Sequence, residues 1–342
     1  MTSALKIKAV GLVSGGLDSA LAAKLILQQG VEVIGYHLRT PFAGGKGEGP
    51  SLVGRVADSL GIELIVEEGG EEYLKMLSAP RFGRGAAANP CVDCHIFMLR
   101  RGRALMLERD ASFCFTGEVL GQRPMSQRRP QLDLIEREAG LEGKLLRPLS
   151  ARLLPPSRPE KEGLVDRARF LDLCGRSRKR QIALAESYGL TAYGSPAGGC
   201  LLTDKDFGAR LADAFAHGDD GLADMNLLKV GRHFRLPSGA KAVVGRDEKE
   251  NEEILEYLDE GAAAFEVVGA GSPVTLLRPS REGDWPAAAA LTLRYSDARE
   301  RAEAEARVWG AKGELAIITA RAGDAAAADA WRVGSGRKEI TA

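Results

Sequence analysis

The chain has 342 residues, 44% of them hydrophobic and 27% charged, which is enough apolar content to bury cores in about two domains. Lys plus Arg and Asp plus Glu both number 47, so the chain as a whole does not advertise a polyanionic partner. There is no N-terminal apolar leader and no 18-residue apolar span, so a soluble, cytoplasmic protein with no membrane partner is expected, and five cysteines in this length exclude a disulfide scaffold.

From the N-terminus, strands and helices alternate. Residues 9–13 are a short apolar run of β-formers and read as a buried strand. Ser14, Gly15 and Gly16 force a tight turn. Leu21, Ala22, Leu25 and Ile26 then fall at helical spacing over 18–29, with Gly30 as the stop. Strand, glycine turn and helix in that order aim free backbone N–H groups and the positive end of a helix dipole at the turn, where a phosphate or pyrophosphate belongs. Neither G-x-x-x-x-G-K-[ST] nor G-x-G-x-x-G stands here.

Residues 31–36 read as a second buried strand, with His37 leaving its carboxyl end, where open parallel sheets bind ligands. The glycine-rich stretch 41–50 reads as a mobile loop. A helix over 51–60, a third strand over 62–66 and a helix over 71–78 follow, then a polar loop over 79–90. Cys91 and Cys94 stand at the start of a helix that runs on over 96–108. Residues 112–116 make a fourth strand that enters the polar loop 117–127. A short helix over 132–139 and a fifth strand or its edge over 145–149 come next. Residues 154–159 are too proline-rich for either, and 166–173 and 177–188 read as helices. The alternation predicts an α/β fold with a doubly wound parallel sheet.

Arg176, Arg178, Lys179 and Arg180 crowd the start of the last helix. Residues 151–200 carry nine Lys/Arg against five Asp/Glu, a basic patch compatible with RNA, whereas 201–260 carry eight against fourteen. A helix over 206–215 closes the first domain, placed at 1–221. A smaller α+β domain is expected over 222–342, with strands at 242–247, 291–296 and 315–319, a helix opened by Glu250 and Asn251, and another between the last two strands. His233 reads as packed rather than catalytic.

The run Ser14-Gly15-Gly16-Leu17-Asp18-Ser19 resembles the PP-loop of ATP pyrophosphatases, which split ATP into AMP and pyrophosphate. The resemblance implies a Rossmann-like domain in which Ser14, Gly15, Gly16 and Ser19 cradle pyrophosphate. It also implies that Asp18 helps place Mg²⁺ and that His37 lies where adenine binds. Thr116-Gly117-Glu118-Val119-Leu120-Gly121-Gln122, with Ser126 and Gln127 beyond it, resembles a segment of tRNA 4-thiouridine synthases. That likeness implies that Gly117 and Gln122 line the nucleotide and base pocket, and it favours carbon 4 of uracil. The Thr-Gly-His of 2-thiouridine synthases does not occur there. The phosphate turn begins at residue 14, so the N-terminal RNA-binding extension of those synthases is not expected, nor is an appended rhodanese-like domain. About fifty residues from 227 onward, with Val230, His233, Val243 and Glu250 among them, resemble the RNA-binding domain of NFACT proteins, which implies RNA docking there.

Cys91, Cys94 and Cys200 carry three open readings. The helix start favours thiolate at the C-x-x-C. Some PP-loop tRNA thiolases bind a 4Fe-4S cluster with such a set, and this likeness implies the same three ligands here, with one iron left open. Alternatively, Cys91 or Cys94 takes a persulfide that Cys200 resolves through a disulfide. The third is structural zinc with His95. Cys114 and Cys174 read as buried fillers. The expected function is an ATP-dependent tRNA sulfurtransferase using ATP, Mg²⁺, tRNA and a sulfur donor, either a cysteine desulfurase persulfide or free sulfide. The rivals are a PP-loop ligase or amidotransferase that adenylates a small molecule, and a non-catalytic RNA-binding protein.

Overall fold

The computed structural model describes residues 6–42, 51–194, 200–325 and 327–334. The chain divides into one unit of Met1–Gly85 with Asn89–Cys200, and a second of Ala86–Ala88 with Leu201–Ala342. The division therefore falls after Cys200, not after residue 221, and the helix expected to close the first domain belongs to the second unit.

The first unit runs β1 (Lys8–Leu12), α1 (Leu17–Leu27), β2 (Glu32–Arg39), α2 (Leu52–Leu60), β3 (Glu63–Glu68), α3 (Glu71–Ser78), α4 (Cys91–Glu108), β4 (Phe113–Thr116), α5 (Arg129–Glu138), β5 (Leu145–Leu146), α6 (Arg158–Lys161) and α7 (Lys179–Ser187). Among the described residues its five strands pair in parallel in the order β3-β2-β1-β4-β5. The connections step one way from β1 to β3 and the other way to β4. Right-handed crossovers then place helices on both faces, as a doubly wound sheet requires. Parallel strands buried on both faces need continuous apolar runs, and Ala9, Val10, Phe113 and Phe115 supply them with no exposure. Gly11 in β1 has no room for a side chain, because a Cβ there would strike the Phe115 ring. The strand order reverses between β1 and β4, so the crevice at their carboxyl ends is the expected ligand position.

Away from the site, the sequence expectations fail at two places in this unit. Residues 166–173 form only a turn over Arg167–Arg169, because the Asp166 side chain accepts from Ala168 N and stabilises a turn instead of a helix. Cys174 is exposed and not a filler; it sits in an isolated parallel bridge with Leu120.

The second unit runs α8 (Lys205–His217), α9 (Leu222–Leu227), β6 (Arg232–Arg235), β7 (Lys241–Val244), α10 (Glu248–Leu255), β8 (Ala263–Val267), β9 (Thr275–Arg278), α11 (Trp285–Arg294), β10 (Glu303–Gly310), β11 (Gly313–Arg321) and α12 (Ala328–Trp331). Its described strands form an antiparallel sheet in the order β11-β10-β8-β9-β7-β6. Residues 291–296 fall mostly in α11, not in a strand, and a strand, β10, stands where a helix was expected. Ala288 to Leu293 are all buried, so α11 shows no polar stripe to betray its period. His233 is buried, and its Nε2 lies 2.8 Å from the Val230 carbonyl, as a packed histidine should.

Candidate functional site

The turn after β1 leads directly into α1, whose N-cap is Gly16. Gly15 has φ +77°, and a Cβ there would lie 3.0 Å from the Val53 amide nitrogen, so only glycine fits. The two serine hydroxyls brace the loop. Ser14 N donates to Ser19 Oγ (3.2 Å), Gly16 N to Ser14 Oγ (3.4 Å), and Ser19 Oγ to the Gly16 carbonyl (2.9 Å). Such long N–H···O contacts are ones that a phosphate oxygen can take over. Asp18, in the first turn, accepts from Gln122 Nε2 at 2.6 Å through Oδ2, while its Oδ1 is buried with no hydrogen-bond partner. A carboxylate oxygen left over beside a phosphate cradle suits Mg²⁺, so the residues present fit that ion.

Gln122 is held in turn by Gln181 of α7, whose Nε2 donates to Gln122 Oε1 (3.2 Å). Arg178, at the start of the same helix, stands with Nε 4.0 Å from Asp18 Oδ2. Two of the residues expected from the 117–127 segment thus reach the phosphate turn. Gln122 binds Asp18, and Gly117 lies so close that a Cβ would sit 2.5 Å from the Asp18 carbonyl carbon and the Ser19 nitrogen. Gly117→Ala must push two backbones apart. We expect a loss of about 1–3 kcal/mol in urea unfolding, with ATP cleavage impaired; parental stability and activity would show that the close approach is dispensable.

His37 lies inside β2, opposite Val66 of β3, rather than beyond the strand end. Its Nδ1 is 2.9 Å from the Val13 carbonyl. That oxygen can only accept, so Nδ1 carries the proton and Nε2 is left as an acceptor. Burial lowers its pKa, which keeps the ring neutral.

The C-x-x-C opens α4 as expected. Asp93 between the cysteines accepts from Arg81 N (2.8 Å) and Phe82 N (3.0 Å), which ties the preceding loop to the helix start. Asn89 Nδ2 donates to Cys91 Sγ (3.1 Å) and to Met125 Sδ (3.4 Å). Cys94 Sγ lies 3.5 Å from the Tyr73 hydroxyl. The charges of Cys91 and Cys200 both act on Cys94, and that of Cys200 also acts on Tyr73, so the three thiols share one neighbourhood. The segment entering Cys200 starts at the phosphate loop, since Gly194 N donates to the Gly15 carbonyl (3.0 Å). The Gly198-Gly199 pair read from the sequence lies outside the described residues.

One expectation about these thiols is corrected. The helix start was expected to favour thiolate, but burial pushes Cys94 up to about 12, with Cys200, Cys91 and Asp93 adding to the shift. Desolvation outweighs the helix dipole. Three thiolates are the right donor type for an iron–sulfur cluster. Yet among the described residues no group of three or more His, Cys, Asp or Glu is placed to hold a metal ion. As arranged, the described residues form no ready single-ion site of the kind structural zinc needs.

Sequence reasoning missed a buried ionic network behind this site. Glu118 Oε2 accepts from Arg147 Nε (2.9 Å) and Thr116 Oγ1 (3.0 Å), and its Oε1 lies 2.9 Å from His95 Nδ1. Arg147 also donates to Glu136 Oε2 (2.8 Å). Burial alone would raise the Glu118 carboxyl, but Arg147 and His95 hold it down to about 2. The available signal was a lone arginine in the apolar run Leu145-Leu146-Arg147-Pro148-Leu149.

Residues 7–100 match the tRNA methyl transferase HUP domain, and residues 231–332 match the NFACT protein RNA binding domain. A tRNA-specific 2-thiouridylase MnmA of Mycobacterium leprae is 36% identical over 121 residues, covering 30% of this chain and 33% of the relative. Another, from Pelotomaculum thermopropionicum, is 26% identical over 271 residues, covering 68% of this chain and 66% of the relative. The chain thus spans less than two thirds of the length of either. Among solved structures, a 4-thiouridine synthetase–RNA complex with bound ATP is 27% identical with a TM-score of 0.33, over 42% of this chain and 37% of that one. The U34-tRNA thiolase NcsA from Methanococcus maripaludis is 14% identical with a TM-score of 0.33, over 65% and 70%. Among the described residues, no helix is long and apolar enough to cross a membrane.

Proposed function

We propose that this chain, in which a PP-loop domain similar to the HUP domain of tRNA-modifying enzymes is joined to one similar to an NFACT RNA-binding domain, is an ATP-dependent tRNA sulfurtransferase that makes a thiouridine. One observation carries the reading. The loop after β4 touches the phosphate turn through Gln122 and Gly117, touches the cysteine helix through the His95–Glu118 pair, and touches the loop just before that helix through the Asn89–Met125 contact. A site that activates a base and a site that supplies sulfur are thereby joined by one segment. The curated relatives with thiouridylase names support the same class.

A uracil oxygen is a poor leaving group, so it must be converted to a better one. The β,γ-phosphates of ATP lie against the Ser14–Ser19 turn, with adenine toward His37, whose Nε2 accepts from the exocyclic amine. When bound on Asp18, Mg²⁺ supplies charge neutralisation for the departing pyrophosphate. The base oxygen attacks the α-phosphorus and pyrophosphate leaves. The α1 N-terminus and Arg178 stabilise the charge that develops. The terminal sulfur of a persulfide on Cys91 or Cys94 then attacks the activated carbon, and AMP departs with the former carbonyl oxygen. The Cys200 thiolate attacks the inner sulfur, which breaks the S–S bond, leaves one sulfur on the base and forms a disulfide that an external thiol reduces.

The likeness of residues 116–127 to 4-thiouridine synthases favours carbon 4, whereas the named relatives are 2-thiouridylases. Mass spectrometry of nucleosides from tRNA treated with the chain, ATP and a cysteine desulfurase with its cysteine, which supplies persulfide sulfur, decides between them. AMP formed equally well without tRNA would replace this reading with a small-molecule ligase, and no ATP cleavage at all would leave an RNA-binding protein. We expect Cys200→Ala to abolish turnover of persulfide-derived sulfur while AMP formation continues. Unchanged thiolation in that variant removes the resolving role. Iron in anaerobically purified protein, lost with any one of the three cysteines, would restore the cluster.

A further inference from the structure

The second unit holds a cavity of about 570 Å³ that the mechanism above does not use. Across β6, β7 and β9, Arg235, Lys241 and Arg278 stand side by side in register. Each arginine is satisfied by two carboxylates. Arg235 donates to Asp213 (2.7 Å) and Asp219 (2.6 Å), and Arg278 to Asp224 (3.2 Å) and Asp259 (2.8 Å). Lys241, between them, is not satisfied. Its side chain is 5% exposed, its Nζ has no hydrogen-bond partner, and Asp219 Oδ2 stands 3.9 Å away, beyond hydrogen-bond length. Lys241 lines the cavity. A buried ammonium lacking an acceptor is costly, and an occupant that accepts from it offsets that cost. Burial lowers this amine to about 8, so it is still a protonated donor at neutral pH.

The charges of the lining disfavour an anion. Asp219, Asp224, Asp259 and Glu260 face the same space as Lys241 and Arg278, four carboxylates against two cations. The chemistry that fits is a neutral group with a carbonyl acceptor for Lys241 and an N–H donor for a carboxylate. Leu227, Val243, Leu276 and Pro279 add apolar walls that can cover the faces of a ring. We propose that this cavity receives a single extruded nucleobase of the bound RNA, with a ring carbonyl accepting from Lys241 Nζ and a ring N–H donating to Asp219 or Asp224. Single-stranded RNA is read this way, by splayed bases hydrogen-bonded at their edges. RNA is the occupant argued for because Lys241, Val243, Leu276 and Arg278 lie within the stretch similar to the NFACT RNA-binding domain, so the proposal rests on the tRNA reading above.

The test compares tRNA affinity of the full chain with that of Lys241→Met and Gly261→Leu over a range of salt concentrations. Gly261 lines the cavity, and a Cβ there meets only Asp259 Oδ1, at 3.5 Å, so a side chain can start there without a backbone clash and its branched end takes up cavity space. Each variant is expected to bind tRNA about tenfold more weakly at every salt concentration. The salt slope should match that of the parent, because no phosphate contact is lost, and unfolding midpoints should stay near the parental value. A slope that falls by about one phosphate contact in Lys241→Met overturns the base assignment. Parental affinity in Gly261→Leu, which must keep its fold for the measurement to be made, overturns the cavity. If the variants match a parent that binds tRNA, only this proposal fails; if the parent binds no tRNA, the sulfurtransferase reading fails with it.

Discussion

Asp18→Asn is expected to lower tRNA-dependent AMP formation about 10²–10³-fold, comparable to the loss when one preorganised charge-stabilising group is removed from an active site. The substitution keeps size and shape. An asparagine carbonyl can still accept from Gln122 Nε2, which holds this side chain at 2.6 Å, so the loop after β4 should stay docked. What is lost is the second carboxylate oxygen, buried at the phosphate turn with no partner, and the negative charge 4.0 Å from Arg178. An amide NH₂ in that place repels a divalent cation instead of binding it. The effect should therefore fall on ATP cleavage, not on stability or tRNA affinity, and pyrophosphate release measured beside an unfolding curve separates the two. Cleavage within tenfold of the parent would mean that Asp18 only braces Gln122. The phosphate turn would then need another cation ligand.

The phosphate turn was legible because three local signals agree there: an apolar run, a glycine pair and a helical period. Helix α3 was also read with the ends it has, and helical spacing beyond the C-x-x-C set that pair at the start of α4. Failures follow where one signal stands alone. Leu291-Thr292-Leu293-Arg294 alternates like a strand, but α11 is enclosed by the sheet and needs no polar face. Asp166 announces a helix cap, yet its side chain closes a turn that no apolar period continues. The sequence reading ended β2 at Tyr36 and so placed His37 beyond the strand. Pairing with β3 extends the strand to Arg39, and sequence alone does not show a partner's length. In the candidate site, sequence named the residues of the phosphate turn and the cysteine trio but not the groups that brace them. Glu118, Arg147 and His95 come from three separate segments, and only the fold brings them together.

That network is also where a single substitution should cost the most stability. Arg147→Met should destabilise the chain by about 3–5 kcal/mol, the usual cost of removing one partner of a buried ion pair and leaving the other charged. Both side chains of the Arg147–Glu118 pair are 4% exposed, so water cannot take the place of the lost guanidinium. In the parent, Glu118 is held at about 2, below the unfolded value of about 4.3. A depressed carboxyl contributes stability that is fully present above the unfolded pKa and fades as pH falls through the folded one. The penalty of Arg147→Met should therefore be largest at neutral pH and shrink as pH falls towards 2, first as Glu118 of the variant takes up a proton and then as that of the parent does. Part of it should persist, since Glu136 and the Leu132 carbonyl also lose a donor. Urea unfolding at pH 7 and near pH 3 measures the difference. An equal penalty at both would trace the loss to packing and not to charge. The functional consequence has the same origin. Glu118 anchors His95 one residue from Cys94, so loosening it should reduce sulfur transfer more than AMP formation, and Glu118→Gln, which keeps an acceptor for Arg147, should do so with a smaller loss of stability.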